Sequence, residues 1–292
     1  MIIKPNLKKS TVRSESMAIQ WKKSIIKINE FYGDSINKHL LPKADLHAHF
    51  QLSHPREITK KNSIHRQTLH LQINLENSEQ DLLEDMSKTT RYKIRRAKRD
   101  GFRITYISEP NIDDVKKFAG FYDLFAKAKG IQVCKIEKLI ALMNKKRLKI
   151  MSVYQEDNIK LASTATIVSN KTAIGLYAAS ARFNHPDINS QLISRANRYL
   201  HWHELVYFKN KGFHTFDLMG LTTDKNNAGH QKVNSYKRSF GGKEKVVYQS
   251  FISQSLLGIM CVWGLRFLWR NNAEIIKRKE QASLRLSEKQ GE

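Results

Sequence analysis

Three groups of residues in this chain have types and spacings suited to chemistry. The first is a row of cations. The stretch Leu82–Gly101, LLEDMSKTTRYKIRRAKRDG, repeats Leu83, Met86, Thr90, Ile94 and Ala97 at helical spacing and predicts a helix with a narrow apolar stripe. Beside that stripe stand Arg91, Arg95 and Arg99, each four residues from the next, with Lys88, Lys93, Arg96 and Lys98 around them. A helix buried on one side and carrying so many cations needs anions nearby, either substrate phosphates or protein carboxylates. Arg91, Arg95 and Arg96 are the candidates for holding phosphates. The second group is Asp217 in Phe216-Asp217-Leu218-Met219-Gly220. This carboxylate stands near the end of an otherwise apolar strand, where it can serve the reaction or order its own loop, and Gly220 lets a ligand approach the backbone. The third is Asp45-Leu46-His47-Ala48-His49-Phe50. Two histidines two apart on a strand face the same way and can share a metal. Cys134 has no local base and reads as structural. His201 and His203 lie mid-helix on different faces, and neither is assigned a role.

The elements that must position these residues follow from periodicity. A helix is expected over Ile19–Phe31, ending near Gly33, followed by an irregular histidine-rich stretch over 43–66. Leu69–Leu75 alternates strictly and reads as a strand. Asn77 or Ser78 caps the basic helix, and Ser78 with Asp81 resembles a capping box. Strand 102–107, helices 113–129 and 136–144, and strands 148–154 and 159–168 joined at Glu156-Asp157-Asn158 come next. Then follow strand 172–180, a long helix 189–211 ended by Gly212, and strand 213–218. Helices and an antiparallel meander thus mix in one α+β unit.

The chain has 292 residues, 51 Lys plus Arg against 27 Asp plus Glu, and a formal charge of +24. With 40% hydrophobic residues a packed core is expected and global disorder is not. The charge favours a polyanionic partner: nucleic acid, an anionic membrane surface or a phosphorylated substrate. Two cysteines and no CxxC make no disulfide framework, so a reducing, cytoplasmic setting is expected. Met1–Ser16 is basic and polar, reads as a loose tail rather than a secretory signal, and leaves Met17 as an alternative start. Phe251–Trp269, FISQSLLGIMCVWGLRFLW, carries one charge, Arg266, and precedes Arg270, Lys277, Arg278 and Lys279. It fits a helix docked on the protein, a helix lying in a membrane surface, or a span.

Four pieces, in this order and spacing, carry a resemblance to a known family: LHLQINLENSEQDLLEDMSKTTRYKIRRAKRDG, FYDLFAKAKGI, GLYAASARFNHPDINSQLISRANRYLHWHELVYFKNKGFHTFDLMGL and SYKRSFGGK. Together they cover roughly residues 65–245 and resemble the GNAT acyltransferase superfamily. The closer likeness is to the Fem-type transferases that build peptidoglycan cross-bridges and to their shorter, BioF2-like acetyltransferase relatives. The resemblance implies a GNAT-like mixed sheet flanked by helices; the chain departs from the family at both ends, where its own residues predict an N-terminal helical or irregular extension and a C-terminal apolar helix. The expected units are a tail 1–16, an extension 17–66 (a candidate remnant of a second GNAT-like unit), the GNAT-like domain 67–248, and the apolar helix with basic tail 249–292.

The implied activity is acyl or aminoacyl transfer to an amino or hydroxyl group of a cell-envelope precursor, direct and without a covalent enzyme intermediate. No permanent cofactor is implied; acyl-CoA or aminoacyl-tRNA is the co-substrate, and the donor stays open. Asp217 is the catalytic candidate. Arg91, Arg95, Arg96, Tyr177, Arg195, Lys237 and Arg238 are the substrate-binding candidates. The family's Gly-rich phosphate turn is replaced here by Arg182-Phe183-Asn184-His185-Pro186-Asp187-Ile188-Asn189-Ser190. Asn189 and Ser190 can cap the following helix while its free amides hold a phosphate, and with Gly220 they are the donor-binding candidates. The partners implied are a phosphorylated or lipid-linked precursor, tRNA and an anionic membrane surface at the inner face of the cytoplasmic membrane, with no obligate protein partner. Two other readings compete. A protein of charge +24 with Arg-rich helices suits plain nucleic-acid binding. Asp45–Phe50 copies the DLHxH opening of amidohydrolase-type metal enzymes, but the regular βα alternation of their barrel is missing, so no metal ligand is assigned.

Overall fold

The computed structural model describes residues 17–34, 42–58, 60–183, 185, 187–224 and 226–276, the side chain of Asp157 excepted. The tail 1–16, Asn184, Pro186 and the run Lys277-Arg278-Lys279 lie outside the described residues.

The fold is α+β: one ten-stranded mixed sheet with helices on both faces. Its N-terminal part is not helical. Met17–Lys23 (β1) and Ile26–Tyr32 (β2) form an antiparallel hairpin around Ser24 and Ile25. In β1 the burial follows period two, with Met17, Ile19 and Trp21 inward, and this alternation overrides the weaker helical pattern over Ile19–Phe31. The stretch expected to be irregular supplies Leu46–Leu52 (β3) and the first part of Ser63–Asn74 (β4). The central elements follow the expected order: Arg103–Ile107 (β5), Leu148–Tyr154 (β6), Lys160–Ser169 (β7), Thr172–Ser180 (β8) and Thr215–Leu221 (β9). Lys243–Ser253 (β10), unread in the sequence, pairs antiparallel with both β3 and β4. The order across the sheet is β1-β2-β3-β10-β4-β9-β8-β7-β6-β5.

The basic helix is two helices. Glu79–Asp85 (α1) starts at the Ser78–Asp81 capping box, and Lys88–Ala97 (α2) starts at Ser87, whose hydroxyl accepts from Thr90 N–H. Ser87 competes with the helix for its own backbone, and Met86 before it is extended (ψ 151), so the chain restarts rather than continues. Met86, Thr90, Ile94 and Ala97 of the expected stripe are buried across the break, but in α1 it is Leu82 that is buried and the expected Leu83 is half-buried.

Ile112–Lys129 (α3), Ile136–Asn144 (α4) and Leu256–Leu268 (α7) share a core on one face of the sheet. Helices α1 and α2, Ser190–Asn210 (α5) and the end of Ala228–Arg238 (α6) cover the other. The turn from α6 into β10 needs glycine: at Gly242 (φ +90) a Cβ would lie 2.6 Å from the Gln72 carbonyl oxygen. The apolar run Phe251–Trp269 is divided, its first residues finishing β10 and the rest forming α7. Among the described residues no helix is long and apolar enough to cross a membrane.

Candidate active site

Strands β8 and β9 run parallel and pair only at Thr172–Thr215, Ala173–Phe216 and Ile174–Asp217, then separate. Just past that point β8 bulges against β7. Gly175 pairs Thr166 and Tyr177 pairs Ala165, leaving Leu176 as the extra residue. The β9-facing backbone groups of the rest of β8 therefore have no strand partner. Into the gap opens a cleft of about 1000 Å3, walled by β8, β9, α6 and the part of α5 from Ser190 to Glu204.

Its charge is lopsided. Among the described residues Lys129, Arg182, Arg198, Lys232 and Lys237 line it against a single carboxylate, Glu204. Burial pushes the Arg198 guanidinium below its usual pKa. That group sits 4.8 Å over the Tyr236 ring and donates to Ser194 Oγ (3.0 Å), which also accepts from Lys93 Nζ at 2.9 Å. Lys93 is lowered too, by burial first and then by Arg198 and Arg195. Two cations meeting on one hydroxyl at the start of α5 are poised for an anion.

Lys237 reaches the rim of β9, donating to the Gly220 carbonyl at 2.6 Å. Burial brings its ammonium down to about 8, against the opposing pull of Asp217. Asp217 itself is 0% exposed and is not part of the cleft wall. It accepts from Gln72 Nε2 (2.9 Å) and Met219 N–H (2.6 Å) and lies 3.0 Å from His70 Nδ1. Burial raises its pKa, but His70, Gln72 and Met219 together outweigh that and hold it below the ordinary value. These bonds fix β4 to β9 and the left-handed Met219 (φ 63), the point where β9 turns away.

The other candidates divide. Tyr177 and Ser190 line the cleft. The Tyr177 hydroxyl accepts from Lys135 N–H (3.2 Å), and burial lifts its pKa to about 12. Asn189 caps α5, accepting from Gln191 N–H at 2.8 Å. The cationic row goes elsewhere. Arg91 donates to the carbonyls of Leu83, Glu84 and Met86 and so closes the C-terminus of α1. Arg95 and Arg96 are exposed on α2. Arg195 is held by both oxygens of Asp100, and Arg238 by Glu244 on the exposed rim. None of these five is in the cleft wall.

Their places are taken by residues of α5 that the sequence reading passed over. Ser194, Asn197, Arg198, His201 and Glu204 all line the cleft. His201 Nδ1 lies 2.8 Å from Glu204 Oε2, and Glu204 accepts from Thr164 (2.7 Å) and Thr166 (2.9 Å). The signal was present: these polar residues recur at i, i+3, i+4, i+7 and i+10 on a helix whose apolar stripe already accounts for its core side. Cys134 is buried and its thiol is pushed up to about 12, by burial first and then by Asp123, which leaves little thiolate.

The DLHAH histidines sit in β3. His49 stacks on Phe31 at 4.8 Å, His47 meets the same ring edge-on, and Asp45 accepts from Lys27 N–H and the Ser255 hydroxyl. Among the described residues no group of three His, Cys, Asp or Glu is placed to hold a metal, and an open sheet replaces the barrel that the hydrolase alternative requires.

No protein-family model and no curated protein matches the chain. Solved structures do. A crystal structure of FemX aligns over 87% of both chains at 13% identity and a TM-score of 0.55. The C-terminal (DUF2156) domain of a putative lysylphosphatidylglycerol synthetase from Agrobacterium fabrum covers 87% of this chain and 89% of its own at 10% identity and 0.52. L-PGS from Bacillus licheniformis covers 84% of each at 12% identity and 0.50.

Proposed function

We propose, for a chain whose fold is that of the Fem-type GNAT proteins, that it transfers an acyl or aminoacyl group directly from a phosphate-bearing donor to an amine or hydroxyl. The observation that carries this reading is the cleft opened by the early separation of β8 from β9, lined among the described residues by five cations and one carboxylate. The donor's phosphates are assigned to Arg198 and the amides of the first turn of α5, capped by Asn189 with Ser190 beside it, while Lys93 of α2 adds its charge from behind the wall through Ser194. The donor carbonyl is assigned to β8 at the Leu176 bulge, where backbone N–H groups without a strand partner in β9 can meet the developing oxyanion.

The acceptor's nitrogen or oxygen attacks that carbonyl carbon, the bond to the donor's sulfur or oxygen breaks, and the acceptor's proton passes to the leaving group. Lys237, as an ammonium group, adds positive charge at the oxyanion or the leaving atom. Asp217 is a positioning residue: it fixes the β9 turn that presents the Gly220 carbonyl to Lys237. Tyr177 shapes the acyl end of the cleft. The acceptor we assign is an amino or hydroxyl group of a cell-envelope precursor, phosphorylated or lipid-linked, at the inner face of the cytoplasmic membrane. The names of two fold neighbours, lysylphosphatidylglycerol synthetase and L-PGS, support that class.

The test is equilibrium binding of acetyl-CoA, aminoacyl-tRNA and uncharged tRNA at about 0.15 M salt, where long-range attraction is largely screened. Saturable acetyl-CoA binding assigns an acyl-CoA donor. Preference for charged over uncharged tRNA assigns an aminoacyl donor. Equal binding of both tRNAs with none of CoA, and no transfer to an added amine, would replace the transferase by a nucleic-acid binder, the reading that the charge of +24 favours.

A further inference from the structure

Helix α7 gives one face to the sheet and turns the other outward. Gly258 and Val262 are buried, and Leu265 and Trp269 join the core shared with α3 and α4. Gly258 seats the helix closely, since a Cβ there would lie 1.9 Å from the Asp45 carbonyl oxygen. On the far side Leu256 (83% exposed), Met260 (68%), Trp263 (63%) and Phe267 (66%) form one row at i, i+4, i+7 and i+11, with Leu268 (74%) beside it. Arg266 is the one charged residue of α7, and it donates to the carbonyls of Lys61 and Ser63 on the protein side. The outer face is apolar from end to end, which is unusual for a surface helix facing only water.

Both ends of this row are flanked by cations. Asp45 accepts from Ser255 at the start of α7 and from Lys27 N–H, which brings the β1–β2 turn alongside; that turn exposes Ile25 with Lys22, Lys23 and Lys27. At the other end Arg266 holds the Lys60–Lys61 loop, and Arg270 lies 4.6 Å over the Phe267 ring. The nearby carboxylates are engaged: Asp45 as above, Glu57 with Lys60 and Glu274 with Arg66.

We propose that the outer face of α7 docks on an anionic phospholipid bilayer. The row Leu256-Met260-Trp263-Phe267 enters the interfacial layer, and the flanking lysines and arginines meet headgroup phosphates. Charge selects this occupant over a second copy of the chain. A symmetric α7–α7 contact would oppose two sets of cations, and among the described residues the carboxylates beside α7 are already engaged within their own chain, whereas lipid phosphates neutralise those cations. At 1.5 Å per residue the thirteen residues of α7 extend about 20 Å, which suits lying in the interface and is short of the ~30 Å hydrocarbon core. The proposal goes beyond the transfer reading and does not depend on it.

The test is sedimentation of the full chain with vesicles of phosphatidylcholine containing about 30 mol% phosphatidylglycerol, and with phosphatidylcholine alone. Wild type is expected to pellet with the anionic vesicles and at least about tenfold more weakly with the neutral ones. The double variant Trp263→Glu, Phe267→Glu, changed at exposed positions, is expected to lose about tenfold or more in vesicle affinity at unchanged Tm. Quenching of wild-type tryptophan fluorescence by lipids brominated on the acyl chain gives a readout that needs no variant. Absence of quenching, or equal sedimentation of wild type and double variant, overturns the proposal. So does a concentration-dependent dimer that the double variant abolishes in a protein that ignores vesicles. Donor binding measured on the same variant stays at the wild-type level, so failure of docking and failure of the transfer reading are told apart.

Discussion

Lys237 holds its ammonium group against the Gly220 carbonyl in a partly buried setting that lowers its pKa to about 8. About nine-tenths of it is charged at pH 7 and about one-tenth at pH 9. If that charge serves the oxyanion or leaving group, kcat falls as pH rises through about 8. Lys237→Met should lower kcat by about a hundredfold or more, and Lys237→Arg should keep part of the activity and lose the decline above pH 8. Pre-steady-state rates across pH 6–10 check this; a profile in Lys237→Arg identical to wild type would remove Lys237 from the chemistry. Arg198 and Arg91 make a contrasting pair. Arg198→Ala should raise the donor Kd about tenfold with little change in Tm, since its charge is spent in the cleft. Arg91→Ala should leave donor binding alone and cost about 1–2 kcal/mol of stability, since its guanidinium closes α1. Calorimetry and denaturant melts on both variants separate the two roles.

At the scale of elements, β4 and β10 are stitched by a buried histidine. His65 contacts the hydroxyls of Ser63 (2.8 Å) and Ser250 (2.9 Å) and is 0% exposed. Burial, with Arg266 nearby, lowers its pKa from 6.5 to about 4. The sign follows from linkage. The native ring stays neutral while the unfolded one takes a proton below 6.5, so stability is complete above pH 6.5. It is lost progressively as pH falls toward 4, by at most about 3 kcal/mol. Urea melts at pH 7.5 and 4.5 should show this loss in wild type, and His65→Gln should be less stable at pH 7.5 but flatter between the two. The splitting of the basic helix is also an element-level device. Ser87→Ala removes the cap of α2 and should cost about 1 kcal/mol, which denaturant melts check.

For the whole molecule, the charge of +24 acts at long range and the cleft at short range. Nonspecific tRNA affinity should fall steeply between 50 and 200 mM salt, with log K dropping by about 0.7 per decade of salt for each phosphate neutralised. A donor seated in the cleft should lose less, because its phosphates meet half-buried cations that salt screens less than exposed ones. Titrations at several salt concentrations distinguish the two, and equal slopes would mean the cleft adds nothing beyond the surface charge.

The α+β class, the succession from β4 through β9, the caps at Ser78 and Asn189 and the ending of α5 at Gly212 were legible because they rest on local periodicity and backbone chemistry. The β1–β2 hairpin was not, because its two short strands also satisfy a helical spacing and only pairing with β3 decides between them. Nor was β10, whose place between β3 and β4 depends on partners far along the chain. At the site, cation-rich composition announced an anion, but the row Arg91, Arg95 and Arg96 was only the most visible set. Which guanidinium caps a helix, which pairs with Asp100 and which faces a cleft depends on what lies across from it. Asp217 and His70 are 147 residues apart and meet only when β9 joins β4. The sequence by itself determined the elements from β4 through β9, the excess positive charge and the apolar run that ends β10 and forms α7. Only the tertiary structure decided that β8 and β9 part to open a cleft, that α5 rather than α2 lines it, and that α7 turns its apolar face outward. Local propensity depends on neighbours in sequence, whereas charge pairing, burial and strand separation depend on neighbours in space.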